Sequence, residues 1–262
     1  MAQGSFELVC EIEPATTPDL TRVRHQIGVM APVASSFLIP DNHIGRATVS
    51  SVAVAHEVQA MGGRAIACLN ARDRNLLGFE RDLLTAAAYG VEEFLFVYGD
   101  KPVTGGRTSE LGVRSMIEHA RAATDSAPFT GRGSRTRPFR LGATTRLTPV
   151  PAWKLDVDFL FVQVGFSLDR LLAWRDTIDT DVDLYAGVMV VASAVMARRL
   201  VATVPDIEIP GELIDAVATD PEAGIDTAID LIAAVEASGA FAGVHLVPVS
   251  RYRQVAARLE QR

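Results

Sequence analysis

Lysine is almost absent from this chain of 262 residues. Only Lys101 and Lys154 occur, so a Schiff-base mechanism has two candidate amines, and Lys101, just past a strand-like run, is the better placed. Cysteine is as scarce. Cys10 and Cys68 both fall inside apolar runs and read as small buried hydrophobes in a reducing compartment; no Cys/His spacing suits a metal. No apolar segment approaches the ~20 residues that span a bilayer. The opening MAQGSFELV has no basic region followed by a long apolar run, so no signal peptide is read and a cytoplasmic location is expected. A formal net charge of −7 argues against a nucleic-acid or anionic-membrane surface, which needs clustered cations. The one basic cluster, RGSRTRPFR from Arg132 to Arg140, lies in a Gly/Ser-containing stretch and reads as a solvated connection, with contact to an anionic ligand as the minority reading. Motifs are missing too. No G-x-G-x-x-G follows a strand, GDKPVTGGRTSELG contains no phosphate-loop pattern, and no G-x-S-x-G elbow occurs.

What is present is a repeating alternation. Apolar residues make up 48% of the chain, ample for a core, and the length suits one eight-stranded α/β barrel. Strands are predicted at Phe6 to Ile12, Ser36 to Ile39, Ala65 to Leu69, Phe94 to Tyr98, Phe139 to Ala143, Phe159 to Val164, Leu184 to Val190 and Gly243 to Val247. Helices are predicted at Thr17 to Gln26, Val49 to Met61, Phe79 to Tyr89, Gly112 to Ala123, Leu168 to Thr177, Ala192 to Thr203 and Pro221 to Ser238. Alternation of this kind implies a parallel sheet covered by helices, and eight strands suggest closure into a single (β/α)8 TIM barrel spanning 1–262. Pro210 to Val217 is expected to be a short extra helix before the last crossover helix, and Arg251 to Arg262 a terminal helix. The fifth crossover, TTRLTPVPAWK, is too proline-rich for a long helix, and residues 125–137 read as a Gly/Ser/Arg-rich loop.

The most informative stretch runs from Cys68 to Pro102. AIACL breaks into the polar cluster Arg72, Asp73, Arg74, Asn75; a helix follows, closed by Gly90; then FLFVY stops at Gly99-Asp100-Lys101-Pro102. Parallel strands bring both polar loops to one carboxyl edge, where α/β folds place their chemistry. On the first strand, Glu7, Val9, Glu11 and Glu13 share a face, because strand side chains alternate, while Phe6, Leu8, Cys10 and Ile12 suit the helix-facing side. The glutamates are therefore expected inside the barrel, with Glu7 a bottom-rim group held by arginine. Glu11 lies near the top, where desolvation and a like-charged neighbour favour a general acid. Asp100, on position alone, is equally a turn aspartate accepting backbone hydrogen bonds. His245, within the last strand, reads as a hydrogen-bonded core histidine. Arg74 reads as part of a salt-bridged loop.

CLNARDRN, a helix, a Gly-Val pair and a strand ending in GDKP together resemble the methylenetetrahydrofolate reductase family, in particular reductase-like modules with RDRN after the third strand. CEIEP is similar to that family's first strand, IPDNHIGRATVSS to its second strand and loop, and FLFVQVGFSLD to its F-x-x-T-Q-x-x-F-D segment. GVMVVASAVMARRL, IPGEL and GVHLVPVSR follow in family order, so the likeness extends from Glu7 to Arg251. It implies reduction of 5,10-methylenetetrahydrofolate to 5-methyltetrahydrofolate with NADH or NADPH as hydride donor. Glu11 and Asp100 then match catalytic positions. Gln163, Asn70, Asp73 and Phe166 fall at substrate positions, and Asp41, Asn42, Tyr98 and Thr144 at cofactor positions. A folate-binding methyltransferase component and a non-catalytic folate-binding barrel are the alternatives. The family's FAD is expected to be absent or weakly held: its flavin-binding histidine is replaced by Cys68, and GATTRLTPVPAWK lacks the family's Tyr, His and Glu after strand five. The sequence leaves oligomeric state open.

Overall fold

A computed structural model describes residues 6–124, 139–204 and 206–262. The loop read at 125–137 lies outside them. Eight parallel strands close into a barrel in chain order: β1 (Glu7–Glu11), β2 (Ser36–Ile39), β3 (Ala65–Asn70), β4 (Glu93–Val97), β5 (Arg140–Thr145), β6 (Phe159–Val164), β7 (Asp183–Met189) and β8 (Gly243–Val247). The described helices are α1 (Thr21–Met30), α2 (Ser51–Ala60), α3 (Leu76–Ala88), α4 (Val113–Thr124), α5 (Leu168–Arg175), α6 (Ala194–Thr203), α7 (Gly211–Thr219), α8 (Ala223–Ser238) and α9 (Tyr252–Leu259). The extra helix expected before the last crossover helix is α7, and the proline-rich fifth crossover carries only a single 3₁₀ turn at Ala152–Leu155.

Several boundaries differ from the sequence reading for local reasons. The first helix begins at Thr21, not Thr17, because the Asp19 carboxylate takes both the Thr21 N–H at 2.9 Å and its hydroxyl at 2.7 Å. It then continues to Met30, since Val23, Ile27 and Met30 all bury on one face. The third begins at Leu76, ahead of Phe79, because the Asn75 side chain caps it by accepting from the Gly78 N–H at 2.9 Å. At its far end β5 also runs on to Thr145, which places Thr144 in the strand itself.

Alternation along β1 separates two cores. Leu8, Cys10 and Ile12 face outward into the shell packed under the helices, while Val9 faces inward. The lumen is filled by Val9, Leu38, Ile66, Cys68, Leu95, Phe159, Phe161 and Tyr185, so the barrel is packed through its middle. Register fixes the seam, with Val9 of β1 opposite His245 of β8. One irregularity interrupts the ladder: between Phe161 and Val164, β6 uses one more residue than β7. Gly187 makes this close approach feasible, since a Cβ there would stand 2.4 Å from the Val162 carbonyl oxygen. Such bulges re-aim side chains, and this one falls at Gln163.

Candidate functional site

The carboxyl edge of the barrel opens into a cavity of about 620 Å³ whose wall is drawn from most of the strands. Glu11 lines it from the end of β1. Its Oε2 lies 3.1 Å from Nε2 of His245, whose ring stacks on Phe161 at 4.9 Å between centroids and 20° between planes. Two residues further on, Glu13 has left the lumen and pairs with Arg22 and Ser250 on the rim. Gln163 enters the wall from the β6 bulge.

Asp100 reaches the cavity from the turn after β4, and its Oδ2 also accepts the Ile44 N–H at 2.9 Å. The loop after β2 is folded hard against that turn. Ile44 is left-handed at φ 57°, unusual for a β-branched residue. A Cβ on Gly45 would stand 2.0 Å from the Lys101 carbonyl oxygen, and the Gly45 carbonyl accepts the Val103 N–H at 2.8 Å. Tyr98 stands beside Asp100 in the wall, with the Arg72 guanidinium 4.7 Å from its ring centre.

Above β2 and β3 the polar groups satisfy one another. Asp41 Oδ2 accepts from the Asn70 backbone N–H at 3.0 Å, from Asn70 Nδ2 at 2.8 Å and from Arg74. Asp73 Oδ2 accepts from Asn70 Nδ2 at 2.9 Å and from Asn42 Nδ2 at 2.8 Å, while its own N–H donates to Asn70 Oδ1 at 3.1 Å. Arg74 continues to Asp82 at 2.8 Å, as a salt-bridged loop would. Of this group Asp41 reaches the cavity wall; Asn42, Asn70 and Asp73 do not.

The opposite wall is cationic. Thr144 lines it, and its carbonyl accepts from Lys154 Nζ at 2.7 Å. Burial, with a smaller contribution from Arg146, holds the Lys154 amine below its usual pKa. Lys154, from the turn after β5, lines the cavity; Lys101, the amine favoured from sequence, does not. Cys68 also faces the cavity, but burial first, and then the charges of Asp41 and Glu11, push its thiol well up, so it is an inert wall group. Phe166 falls outside this cavity. It lines a neighbouring cleft of about 360 Å³ with Ser167, Arg170 and Ile209, and packs on α6 and α7.

Of the sequence-derived candidates, the fold therefore gathers Glu11, Asp41, Tyr98, Asp100, Thr144 and Gln163 in one wall. It adds His245, read from sequence as a core histidine, and Lys154. The signal for His245 was available: Val244 and Leu246 are fully buried on the outward side, so alternation turns His245 into the lumen beside β1. No cluster of three or more His, Cys, Asp or Glu suited to a metal ion occurs among the described residues. No described helix is long and apolar enough to cross a membrane. Chemically, the cavity offers a carboxyl for proton transfer, an amide with donor and acceptor for a heterocycle edge, and a cationic flank for an anionic group.

No protein-family model and no curated protein matches the chain. Solved structures do. A Clostridium thermocellum protein that binds two copies of 5-methyl-5,6,7,8-tetrahydrofolic acid aligns over 98% of this chain and 94% of its own, with a TM-score of 0.62 at 9% identity. The coenzyme F420-dependent tetrahydromethanopterin reductase of Methanopyrus kandleri aligns over 97% and 98%, with a TM-score of 0.55 at 10% identity. DmoA from Hyphomicrobium sulfonivorans gives 0.53 at 8% identity, over 97% and 87%. At such identities the likeness establishes the (β/α)8 fold, and function has to be argued from the cavity.

Proposed function

We propose that this barrel binds a reduced folate in the carboxyl-edge cavity and reduces 5,10-methylenetetrahydrofolate to 5-methyltetrahydrofolate with NADH or NADPH. The observation that carries the reading is the placement of Glu11 inside that cavity, together with Gln163 and Asp100. Opening the folate's five-membered ring to the reactive iminium requires a proton on N10, and Glu11 is the group assigned to deliver it. Gln163 presents both halves of an amide hydrogen bond to the pterin edge, and Asp100 accepts from its N–H groups. Together they hold the methylene carbon toward the donor, as hydride transfer demands. The Clostridium neighbour, which binds 5-methyl-5,6,7,8-tetrahydrofolic acid, and the Methanopyrus neighbour, a coenzyme F420-dependent tetrahydromethanopterin reductase, support this reading.

The family resemblance implies FAD as well, and the residues here fit it poorly. The polar groups above β2 and β3 are consumed by Asn70, Asp73 and Arg74, and Cys68 offers the cavity a neutral thiol. In this reading flavin is absent or weakly held, and the nicotinamide lies against Tyr98 and Thr144 and transfers hydride directly. The test is an anaerobic assay of purified protein whose visible spectrum is recorded first. Oxidation of NADH or NADPH that depends on methylenetetrahydrofolate is expected, with intersecting double-reciprocal plots and no flavin band. Flavin absorbance, a requirement for added FAD, or the parallel lines of ping-pong turnover would overturn the direct-transfer step and leave the reductase reading standing.

A second reading is a folate-binding methyltransferase component or a non-catalytic folate-binding barrel using the same cavity. The Clostridium thermocellum neighbour, known by the folate it binds, favours it. Tight folate binding with no folate-dependent NADH or NADPH oxidation would establish it over the first.

A further inference from the structure

The Glu11 side chain is partnered from across the barrel seam. His245 sits on β8 opposite Val9, faces the lumen between the outward Val244 and Leu246, and brings Nε2 to 3.1 Å from Glu11 Oε2. Its ring is not free to swing. It stacks on Phe161, which itself packs at 5.3 Å on Phe159 and at 5.2 Å on Tyr185. The imidazole is thus held rigidly, with one ring nitrogen aimed at one carboxyl oxygen. Glutamate, by contrast, has three side-chain torsions, and a general acid must present its proton along one direction.

We propose that His245 is the positioning residue for Glu11. With its proton kept on Nε2 it donates a hydrogen bond to Glu11 Oε2, and so leaves Oε1 to carry the proton delivered to substrate. This rests on the reductase reading of the cavity. When Oε1–H passes its proton to N10, the C–N bond opens and its electron pair returns to N10 while the iminium forms. Glu11 is left as a carboxylate. The His245 hydrogen bond, now to a charged acceptor, strengthens at that moment, so it favours the transferred state over the starting one. Solvent reaching the open cavity returns a proton to Oε1; His245 gives none up.

The experiment pairs two variants with a measurement independent of turnover. In His245→Gln the amide nitrogen reaches the place of Nε2, whereas His245→Leu removes the donor. Loss of alignment is expected to lower kcat about 10²-fold in His245→Leu, with KM for the folate little changed, and His245→Gln should recover most of the rate. Long-range proton–nitrogen spectra of the imidazole should show the Nε2–H tautomer in the wild type, and the Nε2–H proton resonance should move upfield in Glu11→Leu as its hydrogen bond is lost. An Nδ1–H tautomer, or an active wild type whose His245→Leu variant keeps its kcat within about twofold, overturns the positioning role alone. A fall in kcat that His245→Gln does not rescue would also overturn it. A wild type inactive toward methylenetetrahydrofolate overturns the reductase reading and this role together.

Discussion

Glu7 and Glu11 stand on the same face of the same strand, one at each end of the barrel, and their surroundings are opposite. At the bottom, Glu7 accepts from Arg64 at 2.7 Å and from the Tyr185 hydroxyl at 2.7 Å. Arg64 continues to Glu93 at 3.0 Å, and Arg140 joins Glu93 at 2.9 Å to Asp183 at 2.7 Å while lying 4.7 Å above the Phe159 ring. Each carboxylate of this plug meets a guanidinium. Burial alone would raise the Glu7 pKa, but hydrogen bonds from Arg64 and Tyr185 and the charges of Arg64 and Arg140 outweigh it and hold the group below 4.5. At the top, Glu11 meets an imidazole, while the cations of the opposite wall lie across open space. A fold seals one end with compensated charge and keeps reactive groups at the other, where a ligand can complete them.

The sharpest way to break this contrast is Glu11→Gln. It keeps the shape of the side chain and removes its proton, so methylenetetrahydrofolate reduction should fall at least ~10²-fold, the low end for losing a general acid. The thermal midpoint should hold or rise, since a carboxyl leaves a partly buried place. Steady-state kinetics and a melting curve on one preparation check both. Turnover near wild type would sink the assignment. Glu13→Gln, on the rim with Arg22, is the control and should cost much less.

A smaller effect is expected from the groups that hold the ligand. Gln163→Leu leaves a pterin edge unpaired and should weaken folate binding by about 1–3 kcal/mol. At tenfold per about 1.4 kcal/mol, titration calorimetry resolves that easily. Asp100→Asn should also weaken folate use more than nicotinamide use, although it keeps an oxygen for the Ile44 N–H. Unchanged folate affinity in both variants would place the pterin elsewhere.

How much of this was legible beforehand follows one physical line. Period-two alternation along a buried strand survives any neighbour, so the strand order, the inward turn of Glu11 and the bottom-rim place of Glu7 could all be read from residues alone. The same alternation, applied to VHL in β8, would have turned His245 inward, but without the β1–β8 register nothing said it would meet Glu11. Loop partners were harder. Asn70 and Asp73 stand in a motif that suggests ligand contact, yet their hydrogen bonds go to Asp41 and Asn42, which lie about 30 residues earlier in the chain. Lys154 was passed over for Lys101 because a proline-rich connection has no period from which to read direction. Its 3₁₀ turn, and the Thr144 carbonyl it reaches, are settled only by packing.

The smallest expected effect tests the sealed end. Because the folded-state pKa of Glu7 is depressed, its contribution to stability is fully present above the ordinary carboxylate range and is lost as pH falls through the folded value. Glu7→Gln keeps an acceptor for Tyr185 but removes the charge that Arg64 and Arg140 face. It should therefore cost about 1 kcal/mol at neutral pH, the scale of a half-exposed ion pair. The loss should shrink as pH drops below 4.5, because the wild type is then shedding the same interaction. Melting curves of both proteins across that window should converge on the acid side and separate on the neutral side. Methylenetetrahydrofolate turnover at neutral pH should be unchanged throughout. A Glu7→Gln protein as stable as wild type at neutral pH, or one with impaired turnover, would mean that the two ends are not divided between stability and chemistry.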